Sequence, residues 1–283
     1  MLGKSPVFLV LPAAVCCIVF LLIPVLLVIA ISFLDIDSTT GRFIFTVSVG
    51  SYAKLFASPT YMAVLADTLT LAGITVAITL VLGYPLAYYT AITVKSFRIK
   101  TLMLLMMMIL FFIDMSVRVI GWYPILGNRG LINYGLMALG VISEPLGFFM
   151  FNRYTIILLW TQGYILFMAF PIYLSLLKLD PSMIDAAEAL GANRLKSFYH
   201  ITFKMSLPGV MIGLIFVLVM SATDYATPVL MGGGVMTVGL LIEFFQAFLY
   251  WPLAAALATV TMVILAVLIF LLLKMVDVKR MVF

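Results

Sequence analysis

Residues 180–210 read D-P-S-M-I-D-A-A-E-A-L-G-A-N-R-L-K-S-F-Y-H-I-T-F-K-M-S-L-P-G-V, and this stretch decides how the rest is read. It is polar in a chain otherwise greasy enough for lipid. Its punctuation is that of two short helices. Asp180 suits an N-cap and Pro181 the first helical position. Ser182 and Asp185 have the spacing of a capping box. Gly191 breaks the helix, Asn193 caps a second one, and Pro208-Gly209 ends the unit. Ala186, Ala187 and Leu190 fall on one helical face, where small alanines let another backbone come close. A capped, basic helix-turn-helix loop between membrane spans reads as a docking surface. The bland alternative is an amphipathic helix lying at the interface.

Composition sets the frame. Of 283 residues, 65% are hydrophobic and 10% charged, more apolar surface than a soluble domain can hide. The chain is therefore expected to be an all-α integral membrane protein, one transmembrane domain over residues 1–283. Cys16 and Cys17 are adjacent in an apolar run and cannot make a disulfide framework. Val15, in Ala13-Ala14-Val15, fits poorly before a lipoprotein cleavage site.

Six spans are expected. The uncharged run from Lys4 to Asp35 is too long for a signal-peptide core, so it is a tilted span with Pro12 and Pro24 as bends. Residues 35–60 form an outer loop (Asp35, Asp37, Gly41, Ser58-Pro59) with an interfacial helix near Tyr52–Phe56. The second run lies between Asp67 and Lys95 and ends L-G-Y-P-L-A-Y-Y at 82–89, with Pro85 as a kink. After the basic turn of Lys95, Arg98 and Lys100, a third span starts at Thr101 and carries Asp114 and Arg118. Gly121, Pro124, Gly127 and Gly130 open a second outer loop that runs to Arg153. The fourth span lies between Arg153 and Lys178, with Pro171 as a bend. The fifth begins near Pro208 and meets Asp224, then T-P-V-L-M-G-G-G at 227–234. An outer segment with Glu243 and Trp251-Pro252 precedes a sixth span over about 253–273.

Basic residues orient the chain. Lys4, Lys95, Arg98, Lys100, Lys178, Arg194, Lys196, Lys204, Lys274, Lys279 and Arg280 share the face of the docking loop, 11 of the 16 Lys and Arg. That face is cytoplasmic, with both termini inside. The net charge of +5 is then an orientation signal, and a nucleic-acid partner is not expected.

Chemistry in the sequence is sparse. There is no G-x-x-x-x-G-K-[ST] phosphate loop, and Gly232-Gly233-Gly234 lacks the Lys that would follow. His200 is the single histidine, which leaves no His-based metal cluster and no Ser-His-Asp triad. No catalytic or metal-binding residue is expected, and any energy for transport comes from another chain. Asp114, Arg118 and Asp224 are charges at membrane depth. Asp114 and Arg118, four apart, are either a neutralising structural pair or part of a solute path; Asp224 has the same two readings. Asp67 and Glu243 are expected to be solvated at the outer interface. Trp122, Tyr123, Tyr225 and Trp251 are either an interfacial belt or an aromatic wall for an ammonium group.

Two resemblances rest on these residues. Asp185-Ala186-Ala187, Gly191-Ala192, Phe198 and Pro208-Gly209 are similar to the EAA loop of ABC importer permeases. Asp185 stands where that family has Glu, and Phe203-Lys204 where it has Leu-Pro. The resemblance implies that Asp185, Ala186, Ala187, Leu190, Gly191, Ala192 and Phe198 couple the chain to a cytoplasmic ATPase. Residues 115–121 (M-S-V-R-V-I-G), 126–133 (L-G-N-R-G-L-I-N) and 224–233 (D-Y-A-T-P-V-L-M-G-G) resemble the spermidine/putrescine permease subunits through nearly the whole chain. That family implies a MetI-like six-helix fold in a bacterial inner membrane. It implies as partners a second homologous permease, two ATPase copies and a periplasmic or extracellular solute-binding protein. ATP and Mg belong to the ATPase, with no cofactor on this chain. Related permeases carry opines, aminoalkylphosphonates and other small organic solutes.

The sequence reading is thus the permease subunit of a binding-protein-dependent importer working by ATP-driven alternating access. A polyamine-like cation is the favoured solute, with Asp114, Arg118, Trp122, Asp224 and Tyr225 along its path. An anionic or zwitterionic solute would recruit Arg118 instead. The rivals are an ion-coupled secondary transporter, which would need inverted repeats and leaves the docking loop unexplained, and a membrane-embedded enzyme.

Overall fold

A computed structural model describes residues 11–12, 15–16, 18–36, 43–44, 46–109 and 111–275. Expectations placed on Lys4, Ala13, Ala14, Cys17, Asp37, Gly41, Arg42, Lys279 and Arg280 lie outside the described residues. The chain is mainly helical, and its described parts fall into two compact units, one within 1–65 and 241–265 and the other within 66–240 and 266–283.

In the first unit a π-helical turn, Ile18–Leu22, leads into α1 (Ile23–Ser32). A two-residue antiparallel pairing of β1 (Asp35–Ile36) with β2 (Phe43–Ile44) follows. The interfacial helix expected near Tyr52 is α2 (Gly50–Ala57), and the Tyr52 hydroxyl lies 2.7 Å from that of buried Ser32.

Among the described residues, four helices are long and apolar enough to cross a membrane: Pro59–Thr93, Arg153–Leu176, Arg194–Thr223 and Trp251–Lys274. They correspond to the second, fourth, fifth and sixth expected spans. The first consists of α3 (Pro59–Tyr88) and a π-helical end, Tyr89–Thr93. It runs on through Pro85, and its irregularity comes one turn later. The expected first span is represented by the shorter apolar helix Ile18–Ser32.

The third expected span is divided. Helix α4 (Phe97–Ile109) stops, and α5 (Met115–Leu126) starts afresh with Asp114 as its cap. An aspartate in lipid has few ways to be satisfied. Here its carboxylate accepts the Ser116 backbone N–H at 2.8 Å, a bond available only at a helix start. The segment expected as the second outer loop therefore begins later than expected, because Gly121 and Pro124 are inside α5. It contains α6 (Leu131–Ala138). Asn133 is fully buried and ties the loop together: its amide donates to the carbonyls of Gly127 and Leu146 and accepts from the Leu146 N–H.

The core of the second unit is built on α7 (Arg153–Leu176), capped by Asn152, whose side chain accepts from the Tyr154 and Thr155 N–H groups. Ile156, Trp160, Met168, Ile172, Tyr173 and Leu176 of α7 cluster with Val210 and Val217 of α10 (Lys204–Thr223). Two glycines let these helices touch. A Cβ on Gly209 would lie 2.2 Å from the Pro171 carbonyl oxygen, and one on Gly213 2.7 Å from Met168 Sδ. This is the G-x-x-x-G spacing by which helices pack in lipid, where apolar surface alone gives little association.

Pro208-Gly209 does not end the loop. A short helix, α9 (Arg194–Ser197), and a π-helical turn, Phe198–Phe203, run directly into α10, so Pro208 is inside a helix. A proline crowds the carbonyl four residues back, here Lys204. The widened turn ends just before that carbonyl, and the Ser206 hydroxyl donates to the Phe203 carbonyl at 2.9 Å. Four other hydroxyls buried in the spans bond locally too: Thr75, Thr79, Ser221 and Thr261 each donate to the carbonyl four residues earlier, which leaves those four without an unmet donor in an apolar span. After α10 come α11 (Ala226–Met231), α12 (Val238–Ala247) and α13 (Trp251–Met275).

Candidate functional site

The expected docking loop follows its punctuation at Asp180, Gly191 and Asn193. Asp180 accepts the Ser182 N–H at 2.9 Å and caps α8 (Pro181–Ala189). The cap is Asp180 itself rather than a Ser182–Asp185 box. Hydrogen bonds from Ser182 hold the exposed Asp180 carboxyl below the usual carboxylate range. At the other end the Gly191 N–H bonds to the Glu188 carbonyl and the Ala192 N–H to that of Ala187, with Gly191 at φ +86°. That pair of bonds with a left-handed residue is a Schellman stop. Asn193 then accepts the Lys196 N–H at 2.8 Å and caps α9. Because α9 continues into α10, the handle α8 is joined by one tight turn to a 30-residue helix, Arg194–Thr223.

The loop keeps its apolar side chains in the open. Leu190 is 90% exposed and Leu195 77%. Asp185, Ala186 and Gly191 are exposed, and Ala187 and Ala192 half-buried. Phe198, also half-buried, is turned away from the handle against the rings of Tyr84 and Tyr88.

Two of the three expected membrane-depth charges, Arg118 and Asp224, meet the middle of α7, and Asp114 does not pair with Arg118. Asp114 is exposed and serves its own helix start. Arg118 instead reaches α7, where Nη1 donates to the Gly163 carbonyl at 2.7 Å. Among the described residues the one ion pair is Arg153–Asp67, at 2.7 Å and exposed, so Asp67 has a partner besides solvent. One turn beyond Arg118, the Trp122 indole N–H donates to Gln162 Oε1 at 3.2 Å. From the other side, Asp224 accepts the indole N–H of fully buried Trp160 at 2.6 Å and the Ala226 N–H at 3.0 Å. Tyr225 beside it is 52% exposed. Gly163 permits the approach of α5: a Cβ there would lie 2.8 Å from Met115 Sδ.

Thus Arg118, Trp122 and Asp224 meet Trp160, Gln162 and Gly163, three α7 residues the sequence reading passed over. The available signal was Gln162, a lone amide in an otherwise uncharged run between Arg153 and Lys178. Asp224 has a measurable structural share. Asp224→Ala leaves the Trp160 indole buried without its acceptor, at a cost of about 1–3 kcal/mol, whereas Asp224→Asn keeps an acceptor. Thermal unfolding in detergent should rank wild type, then Asn, then Ala; equal midpoints for the two variants refute that role.

A sequence profile described as binding-protein-dependent transport system inner membrane component matches residues 83–281. The chain is 32% identical over 258 residues to the spermidine/putrescine transport system permease protein PotB of Haemophilus influenzae, covering 89% of this chain and 87% of that one. A bacterial ABC transporter involved in import of the acidic polysaccharide alginate shares the fold, with a TM-score of 0.76 at 16% identity over 97% of this chain and 95% of that one. A second alginate transporter structure, in complex with an alginate pentasaccharide-bound periplasmic protein, aligns with a TM-score of 0.73 at 16% identity over 97% and 94% of the two chains. This chain belongs to the binding-protein-dependent transport system inner membrane component family, as an ABC importer permease with the MetI-like fold.

Proposed function

We propose that this chain moves a polyamine-like cation into the cytoplasm by ATP-driven alternating access. The observation that supports it most is the handle: α8 is closed at both ends by side-chain and Schellman caps, exposed except at half-buried Ile184 and Ala187, and continuous through one turn with a full span. Such a handle transmits a push without bending. In this reading it seats in an ATPase on the cytoplasmic side, both termini face the same way, and residues 1–283 act as one permease domain. Two ATPase copies carry ATP and Mg, a second homologous permease completes the pathway, and a solute-binding protein delivers cargo from outside. The coupling residues are Asp185, Ala186, Ala187, Leu190, Gly191 and Ala192.

The cargo class rests on the similarity to the H. influenzae spermidine/putrescine permease, which runs through most of both chains. Within the proposed path the roles divide. Asp114 and Tyr225 are exposed and supply a carboxylate and a ring to a passing ammonium. Arg118, Trp122 and Asp224 set the spacing of α5, α7 and α11. The test is ligand binding to the partner solute-binding protein, followed by uptake in vesicles holding the complete complex. Putrescine or spermidine should bind and should stimulate ATP hydrolysis. A binding protein that ignores both refutes the cargo, and a purified complex without an ATPase refutes the mechanism.

A further inference from the structure

The stretch L-G-Y-P-L-A-Y-Y at 82–89 belongs neither to the handle nor to the solute path, yet Tyr84 and Tyr88 in it touch the helix that leads out of the handle. The Tyr84 ring stands edge-on to Phe198, centroids 5.9 Å apart and planes at 78°; Tyr88 meets the same ring at 5.8 Å and 70°. Tyr84 also lies 6.0 Å from the Phe203 ring. Its hydroxyl is 3.0 Å from Ser206 Oγ. Ser206 already donates to the Phe203 carbonyl, so Tyr84 is the donor and Ser206 the acceptor. Beneath the cluster α3 is braced on α7, since a Cβ on Gly83 would lie 3.2 Å from the Ile165 carbonyl oxygen.

Both helices lose α geometry at this one place. Phe198 and Phe203 bound the π-helical turn that leads from the handle into α10, and Tyr88 immediately precedes the π-helical end of α3, Tyr89–Thr93. A seam that merely filled space would close between regular helices. A π turn holds one residue more than an α turn, and passing that residue along rotates the neighbouring segment by about 100°. Two such turns joined through one set of rings can shift together.

We propose that Tyr84, Tyr88, Phe198 and Ser206 form a joint that carries movement of the handle sideways into α3, as positioning residues for transport. The inference deepens the ATP-driven reading above and rests on it: α10 is moved directly by its covalent link to the handle, and α3 through these rings.

Hydrogen–deuterium exchange on the purified complex with its ATPase tests this without knowledge of the cargo. The states compared are nucleotide-free and trapped with ADP and vanadate. In wild type, trapping should change exchange in peptides spanning 181–193 and 82–93, by at least about fivefold, the low end of ordinary coupling. In Phe198→Leu the change at 181–193 should persist while that at 82–93 shrinks below about twofold, and Phe198→Tyr should restore it, ranges separable on the same scale. Tyr84→Phe keeps the ring and loses only the bond to Ser206; it should retain assembly with a reduced response at 82–93, and it decides the matter if Phe198→Leu fails to assemble. A full response at 82–93 in Phe198→Leu or Tyr84→Phe, or no recovery in Phe198→Tyr, overturns the joint and leaves the ATP-driven reading standing. No response at 181–193 in wild type overturns both.

Discussion

Gly209→Ala should cost this protein more stability than any other glycine-to-alanine change in its spans. The added Cβ would lie 2.2 Å from the Pro171 carbonyl oxygen and 2.7 Å from Ile172 Cα. Both are backbone atoms of α7 and cannot step aside as a side chain can. Overpacking of this kind costs about 1–3 kcal/mol, and more where nothing yields. Two glycines in the same kind of setting calibrate the expectation. At Gly213 the nearest obstacle is Met168 Sδ, the flexible end of a side chain, although the Met168 carbonyl oxygen follows at 3.0 Å. At Gly73 no atom lies within 4 Å, and alanine is the better helix former by about 1 kcal/mol. The recovery of monodisperse protein in detergent, and its unfolding midpoint, should therefore rank Gly73→Ala at or above wild type, Gly213→Ala below it and Gly209→Ala last. A Gly209→Ala protein as stable as wild type would show that α7 and α10 do not meet this closely.

The second large effect falls on transport and spares the fold. Gly191 has open space around it, so a side chain there meets no obstacle. What it meets is the left-handed backbone at φ +86°, which costs an ordinary residue roughly 1–2 kcal/mol and a β-branched one more. Gly191→Val is expected to unwind the Schellman stop, re-aim the handle and reduce ATP-driven uptake by about tenfold or more, with the unfolding midpoint of the isolated chain little changed. Gly191→Asn should keep much of the activity, because asparagine tolerates this conformation. Filling the handle's small face, as in Ala187→Trp, should do the same damage by blocking close approach. Uptake in vesicles, with recovery of the ATPase alongside the permease, reads both effects. Normal uptake in Gly191→Val would favour a transporter that runs without a docked motor.

What the sequence disclosed follows from the range of the forces involved. Caps and stops are local, so Asp180, Gly191 and Asn193 could be placed from a few neighbouring letters. Long apolar runs are local too, and four expected spans emerged as single helices. Proline was read less well as a boundary. Pro124 and Pro208, expected at a loop opening and a loop end, lie inside helices, because what a proline does to a helix depends on the turn before it and on the bonds its neighbours make. The split of the third expected span was invisible for a related reason: four-residue spacing made Asp114 and Arg118 look like partners. The break at Asp114 put one at a helix start, and Arg118 found a carbonyl 45 residues away. The polar meeting point on α7 could not be read from one segment at all, since Trp160, Gln162 and Gly163 gain meaning only from what α5 and Asp224 bring to them.

Helix α7 is both the least apolar of the four long spans and the most enclosed by protein. Chain order then matters during synthesis. The ribosome delivers α7 before α10, the helix that covers much of it, so Trp160 and Tyr164 reach the bilayer ahead of the Asp224 carboxylate and the Met220 carbonyl that accept from them. A segment with those side chains gains little from lipid by itself, and its final seat is secured only when the later helix arrives. Biogenesis of this permease is therefore a matter of waiting: one span enters on credit and is held until its neighbour is made.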